Sequence, residues 1–190
     1  KEPDEIVLAT STGAGDEVLV ELAAAHGVKI FRGDEHNVLS RFYHAAIEYG
    51  AEIIVRLTGD CPFVEPRLLD DMLLKYIELG KDYLTNTLPP TYPDGLDIEI
   101  MSFEALAEAW RESRTASERE HVTAYLRQSS AITKENVELE TDCSALRWTL
   151  DEQVDLDNLN SLFASVNYDP SFDATKLAVK LGSSLESQTS

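Results

Sequence analysis

Short β-branched runs alternate along this chain with longer stretches of helical apolar spacing. Runs of the first kind predict buried strands, and the intervening stretches predict helices. Glu5 to Thr10 reads as a strand that runs into the small polar loop Ser11 to Gly15. Asp16 is placed to cap a helix from Glu17 to Ala25, which His26-Gly27 ends. Val28 to Phe31 is the next strand, then a helix through Ile47 with Gly50 as its stop. Ile53-Ile54-Val55-Arg56-Leu57-Thr58-Gly59-Asp60-Cys61-Pro62 is a third strand with a sharp carboxyl end. Glu65-Pro66 leads a helix to about Leu79, and Tyr83 to Asn86 is a fourth strand. This β-α-β-α-β-α-β order calls for a mostly parallel sheet with helices on both faces.

The pattern changes at the proline-rich loop Leu88 to Gly95. Leu96-Asp97-Ile98-Glu99-Ile100 alternates apolar and acidic residues, as in a strand with one wet face. Helices are expected over Phe103 to Glu112 and Ser117 to Gln128, the second opened by a Ser117-Glu118-Arg119-Glu120 capping box. Val137 to Glu140 and Leu146 to Leu150 read as short strands, and Leu156 to Val166 as a helix. One domain over residues 1–182 is expected, with 183–190 as a polar, disordered tail and no internal repeats.

Charge narrows the possibilities. The chain has 16 basic residues against 35 acidic ones, a formal charge of −19 at pH 7. That argues against a nucleic-acid backbone or an anionic membrane as partner. An anionic ligand would need a cation to neutralise the site, and a divalent metal is the simplest choice. With only Cys61 and Cys143 there is no disulfide framework. No apolar run approaches membrane-spanning length and no signal peptide is visible, so a cytoplasmic setting is expected.

Candidate chemistry gathers where strands end. In open α/β sheets, ligands sit outside strand carboxyl ends, so Asp60 stands where a metal or a phosphate-bearing ligand is handled. A lone Gly-Asp also makes ordinary turns. Asp151 follows the apolar run Arg147-Trp148-Thr149-Leu150 in the same way, and two such carboxylates can converge on one cation. Helix capping suits Asp151 as well. Tyr92-Pro93-Asp94-Gly95-Leu96-Asp97-Ile98-Glu99 sets three carboxylates beside a ring, a combination suited to sugar hydroxyls and equally to a solvated strand edge. Arg32, Arg41, Arg56, Arg119 and Arg147 suit phosphate or carboxylate recognition, or surface ion pairs. His121 reads as a ligand, a general base or a helix-surface histidine, and Cys61 as a small buried apolar residue.

Several stretches occur in an order and spacing that resemble a known family. They are Val7 to Thr10, Phe31-Arg32-Gly33 through Arg41, Ile53 to Pro62, Asn86 to Pro89, Tyr92 to Glu99, Arg119 to Thr123 and Leu146 to Asp151. The chain resembles the spore-coat polysaccharide type of cytidylyltransferase, related to acylneuraminate and KDO cytidylyltransferases. The resemblance implies a Rossmann-like three-layer α/β/α nucleotidyltransferase fold, similar to GT-A, in a Mg²⁺-dependent enzyme. Such an enzyme transfers CMP from CTP to a sugar or sugar acid, releases pyrophosphate, and serves surface polysaccharide synthesis. By similarity Asp60 and Asp151 are the metal ligands. Ala9, Thr10, Ser11, Arg41, Thr58 and Gly59 line the nucleotide. Tyr92, Asp94, Gly95, Asp97, Glu99, Arg119, His121, Arg147 and Trp148 face the sugar. Relatives that dimerise make a homodimer the expectation, with Leu96 to Ile100 as a place for its interface. A non-catalytic sugar-binding domain and a nucleotide-sugar glycosyltransferase are the alternatives.

Two departures accompany the resemblance. Family members open with a strand and an Arg-x-Gly-Ser-x-Arg-Leu-Pro-Gly-Lys loop that grips the triphosphate. This sequence contains neither, and Lys1 to Asp4 reads as the end of a helix-to-strand connection, so weak CTP binding is expected of the chain as given. Gln153 stands where the family has a proline after the second aspartate.

Overall fold

A computed structural model describes residues 3–167, 169 and 172–189. Lys1 and Glu2 of the expected connection, and Ser190 of the expected tail, lie outside the described residues. The elements run β1 (Val7–Ser11), α1 (Glu17–Ala25), β2 (Lys29–Gly33), α2 (Val38–Tyr49), β3 (Ile53–Arg56), α3 (Pro66–Leu79) and β4 (Tyr83–Thr85). After the proline-rich loop come β5 (Glu99–Ser102), α4 (Phe103–Glu112), α5 (Ala116–Glu120), α6 (Ala124–Gln128), β6 (Lys134–Asn136), α7 (Gln153–Ser165) and α8 (Ala174–Thr189). Among the described residues the strands form two sheets, β1-β2 and β3-β5-β4-β6. No helix among them is long and apolar enough to cross a membrane.

Where one domain over residues 1–182 is expected, the chain divides into two compact units, Lys1–Ile54 with Met101–Lys134 and Val55–Ile100 with Glu135–Ser190. In the first unit β1 and β2 pair in parallel from Val7↔Lys29 to Ser11↔Gly33. Asn37 caps α2 by accepting a hydrogen bond from Ser40 N at 3.1 Å, and Gly50, at φ 64°, ends it. Ser102 caps α4 in the same way, through Ala105 N at 3.1 Å. Tyr43 of α2 stacks on Trp110 of α4, with ring centroids 4.4 Å apart. Where one helix is expected from Ser117, two short ones form, because the backbone leaves helical geometry at His121 (φ −95°, ψ 83°). The capping box that opens α5 is Thr115 with Glu118, two residues before the expected one.

The second unit holds a contiguous hydrophobic core. Leu68, Met72 and Tyr76 form a stripe on α3 at helical spacing and join Leu84, Leu96, Ile98, Ile100, Trp148, Leu159 and Ala178. Asn86, fully buried, takes the place of a backbone rung: its amide donates to Leu96 O at 2.8 Å and its Oδ1 accepts from Ile98 N at 2.9 Å. Two strand expectations change here. Leu146 to Leu150 makes only an isolated bridge, Arg147 to Asp94, since its backbone bonds a loop and a turn rather than a strand. The strand expected at Val137 to Glu140 lies earlier, at β6. Helical backbone runs through Thr189 over the stretch expected to be a disordered tail, where Leu185, Glu186 and Gln188 are good helix formers.

Of the expected wet face of Leu96 to Ile100, Asp97 stays half-buried and Glu99 is enclosed. β5 lies between β3 and β4, and Glu99 is 2% exposed. Its carboxylate accepts from Arg56 Nη1 with one oxygen and from the Tyr83 hydroxyl with the other. A buried carboxylate persists only when paired and hydrogen-bonded, and both conditions are met here. Leu96, Ile98 and Ile100 are fully enclosed, so this strand keeps no apolar face for a second copy. Glu99→Ala leaves Arg56 without its carboxylate and Tyr83 without its acceptor, and should lower the urea unfolding free energy by about 2–4 kcal/mol. A loss below about 0.5 kcal/mol would show that the pair does not hold the sheet.

Candidate active site

β3 ends at Arg56, and the chain turns tightly over Thr58 to Cys61, where Cys61 N donates to Thr58 O at 3.2 Å. Pro66 then starts α3, its missing N–H costing nothing at the first helical position. Asp60 sits half-buried on this turn, and its carbonyl accepts from Leu150 N at 2.8 Å. That bond fixes the Asp60 turn beside the segment that carries Asp151. Cys61 is buried, and burial together with the negative charges of Asp60 and Asp97 pushes its thiol up to about 11. It stays a neutral thiol at physiological pH, as its reading as a small apolar residue requires.

Arg147 gathers three carboxylates from three segments of the second unit. Its Nη1 lies 3.2 Å from Asp94 Oδ2 and its Nη2 2.5 Å from Asp151 Oδ2. Its Nε and Nη2 reach Asp155 at 3.3 and 3.2 Å. Asp155 is buried on α7, where it also accepts from Asp151 N at 3.0 Å and Glu152 N at 2.9 Å. The Arg147 guanidinium and these two backbone donors hold its carboxyl at about 2, and the carboxylates in turn raise the guanidinium pKa. α7 is capped by Glu152 with Asp155, so Asp151 stands just outside the helix.

The loop carrying Asp94 is locked to the same segment. Asp94 N donates to Leu146 O at 3.0 Å, and Trp148 N donates to Asp94 O at 2.6 Å. Gly95 has φ 111°, and a Cβ there would meet the Trp148 carbonyl at 2.6 Å, so only glycine permits this approach. Asp94 is exposed and Asp97 half-buried. Tyr92 and Trp148, expected to face a sugar, are 6% and 4% exposed and belong to the core, and Glu99 is enclosed with Arg56 and Tyr83. Alternation and aromatic identity alone do not distinguish a wall of a site from a wall of the core.

In the first unit, Thr10 and Ser11 are buried, with Ala9 half-buried. Asp16 does not cap α1: its carboxylate accepts from Thr10 Oγ1 at 2.6 Å and Ser11 N at 2.8 Å, and these bonds hold it at about 2. Arg41 lies over Gly33, where a Cβ would meet its Cγ at 2.9 Å, and its buried Nε has no partner among the described residues. An unsatisfied guanidinium N–H beside the carboxyl end of a strand is a donor left for an anion. Arg119 is half-buried with Nη2 on Ser113 O at 3.1 Å, while His121 is exposed at the end of α5.

Among the described residues no group of three or more His, Cys, Asp or Glu is arranged to hold a metal ion. Asp60 and Asp151 are hard oxygen donors on adjoining segments, which fits Mg²⁺, a cation held by one or two carboxylates together with substrate phosphates.

Comparison with known proteins decides the family. The profile described as Cytidylyltransferase matches residues 1–177. The chain belongs to the cytidylyltransferase family. It is 31% identical over 194 aligned residues to the spore coat polysaccharide biosynthesis protein SpsF of Bacillus subtilis, covering 100% of this chain and 79% of that protein. It is 36% identical over 134 residues to an uncharacterised protein of Methanocaldococcus jannaschii, covering 70% of this chain and 54% of the other, so it spans just over half of that relative's length. A solved cytidylyltransferase from Leptospira borgpetersenii superposes with a TM-score of 0.86 at 30% identity, over 95% of this chain and 76% of that one. The family's Rossmann-like α/β fold is therefore that of this chain.

Within this cytidylyltransferase fold, sequence reasoning missed Asp155, whose spacing from Glu152 is the signal that finds it. It also missed Asp16 as a latch on β1, which nothing local distinguishes from a helix cap. Gly95→Ala should cost at least about 2 kcal/mol in urea unfolding, because positive φ and a backbone clash act together. Asp155 has a folded value of about 2 against an ordinary 3.8, so its contribution is complete above the ordinary value and is lost as pH falls toward 2. The stability difference between the native protein and Asp155→Asn should stay flat from about pH 7 to 5 and shrink below about pH 4.

Proposed function

We propose that this chain is the body of an enzyme that transfers CMP from CTP to a sugar or sugar acid, releasing pyrophosphate, for surface polysaccharide synthesis. The observation that carries the reading is the tie from Asp60 O to Leu150 N, which sets the Asp60 turn beside Asp151. Family membership and the polysaccharide role printed for the Bacillus relative support it. Asp60 and Asp151 would hold Mg²⁺, which when bound supplies positive charge to phosphate oxygens that a chain of −19 otherwise repels.

The chain's own residues supply position. In the reaction an acceptor oxygen forms a bond to the α-phosphorus of CTP as the bond to pyrophosphate breaks, so the two reactants must be aligned. Asp94 and Asp97, on the loop locked by Gly95, offer carboxylate oxygens to acceptor hydroxyls. Arg147 bonds both Asp94 and Asp155 and so ties the acceptor loop to the first turn of α7, next to Asp151. Arg41, with its unpartnered Nε, serves the nucleotide.

Pyrophosphate release by the natural protein, measured with CTP, Mg²⁺ and a panel of sugar acids, tests the reading. Turnover is expected with at least one acceptor. Asp60→Ala and Asp151→Ala should each lower it by about 100-fold or more, since several kcal/mol of charge stabilisation are lost. Retained sugar binding without release from any nucleotide would instead favour a non-catalytic domain, and unchanged turnover in either variant would remove that residue from the metal pair.

A further inference from the structure

Arg147 divides its guanidinium unequally among its carboxylates. The Asp155 carboxyl group is enclosed, with its side chain 9% exposed, and it is fixed by two backbone N–H groups. The Asp151 side chain is 54% exposed and meets Arg147 through Nη2 alone, the same nitrogen that also reaches Asp155. One guanidinium against Asp94, Asp151 and Asp155 leaves two negative charges uncompensated before Asp60 is considered.

We propose that Arg147 is an exchangeable cation at Asp151: it neutralises this carboxylate until a divalent cation takes its place, and it then remains on Asp155. The inference rests on the reading of Asp60 and Asp151 as a metal-holding pair. An exposed ion pair is the weaker of the two attachments, so the Asp151 contact is the one that yields. Asp155 provides the anchor that keeps the released guanidinium from leaving, and Asp94 keeps Nη1 in place. Arg147 is thus a positioning residue that sets how tightly the free metal binds.

Mn²⁺ binding to the natural protein without nucleotide, followed by the electron paramagnetic resonance of the free ion, tests this. Native protein should bind Mn²⁺ in a manner lost in Asp60→Ala. Arg147→Gln removes the competitor and should tighten binding about three- to tenfold. Asp155→Asn leaves the guanidinium to Asp151 and should weaken it by about threefold or more. A residue that merely props up Asp151 predicts weakening in both variants, and that result, or no change in Arg147→Gln, overturns the proposal while leaving the metal pair standing. Mn²⁺ binding indifferent to Asp60→Ala overturns the metal pair itself and this inference with it. Circular dichroism and a thermal midpoint establish that each variant is folded. Arg147→Lys, which keeps the charge but loses the fork, should tighten binding to a lesser degree and carries the test if the glutamine variant does not fold.

Discussion

One guanidinium bonded to three carboxylates from three separate segments is the constraint on which the candidate site depends. Arg147 joins the Asp94 loop, the Asp151 turn and the first turn of α7. None of these segments is a regular strand of the sheet, so backbone ladders do not hold them. What holds them is this charge cluster, the single backbone bridge of Asp94 to Leu146 and Trp148, the bond from Leu150 N to Asp60 O, and the close approach of Gly95 to Trp148. In a chain so rich in acids, a basic residue at the meeting point of several carboxylates is worth more as an organiser than as one member of a surface pair.

The same economy appears deeper in the second unit. Glu99 is enclosed between β3 and β4 and is tolerated because Arg56 and Tyr83 between them take both of its oxygens. In the first unit Asp16 is spent on Thr10 and Ser11, which ties the loop after β1 back to its strand. Many of the acids are thus part of the scaffold. Others, Asp94 and Asp151 among them, stay exposed.

These internal commitments bear on the family reading. The proposed cytidylyl transfer would bring a polyanion to an acidic protein, and the arrangement would suit a site in which positive charge arrives with the substrate or its metal while arginines remain few and placed. Arg41, with one N–H left unpaired, and Arg147, with its guanidinium shared unequally, both have something left to give.

By itself the amino-acid order determined the succession of strands and helices, the glycine and proline punctuation, and the placing of Asp60 and Asp151 at chain turns. Those features depend on periodicity and on backbone preferences that act within a few residues. Only the tertiary structure decided which polar residues face water. The alternation at Leu96 to Ile100 reads as a half-wet strand until Arg56, 43 residues away, and Tyr83 close over Glu99. Tyr92 and Trp148 read as sugar-facing rings until the core closes round them, and two overlapping capping patterns near Ser117 could not be ranked until Glu118 turned back to Thr115. The difference has one physical cause: a side chain's periodicity is a local property, whereas its burial depends on partners that only the folded chain brings within reach.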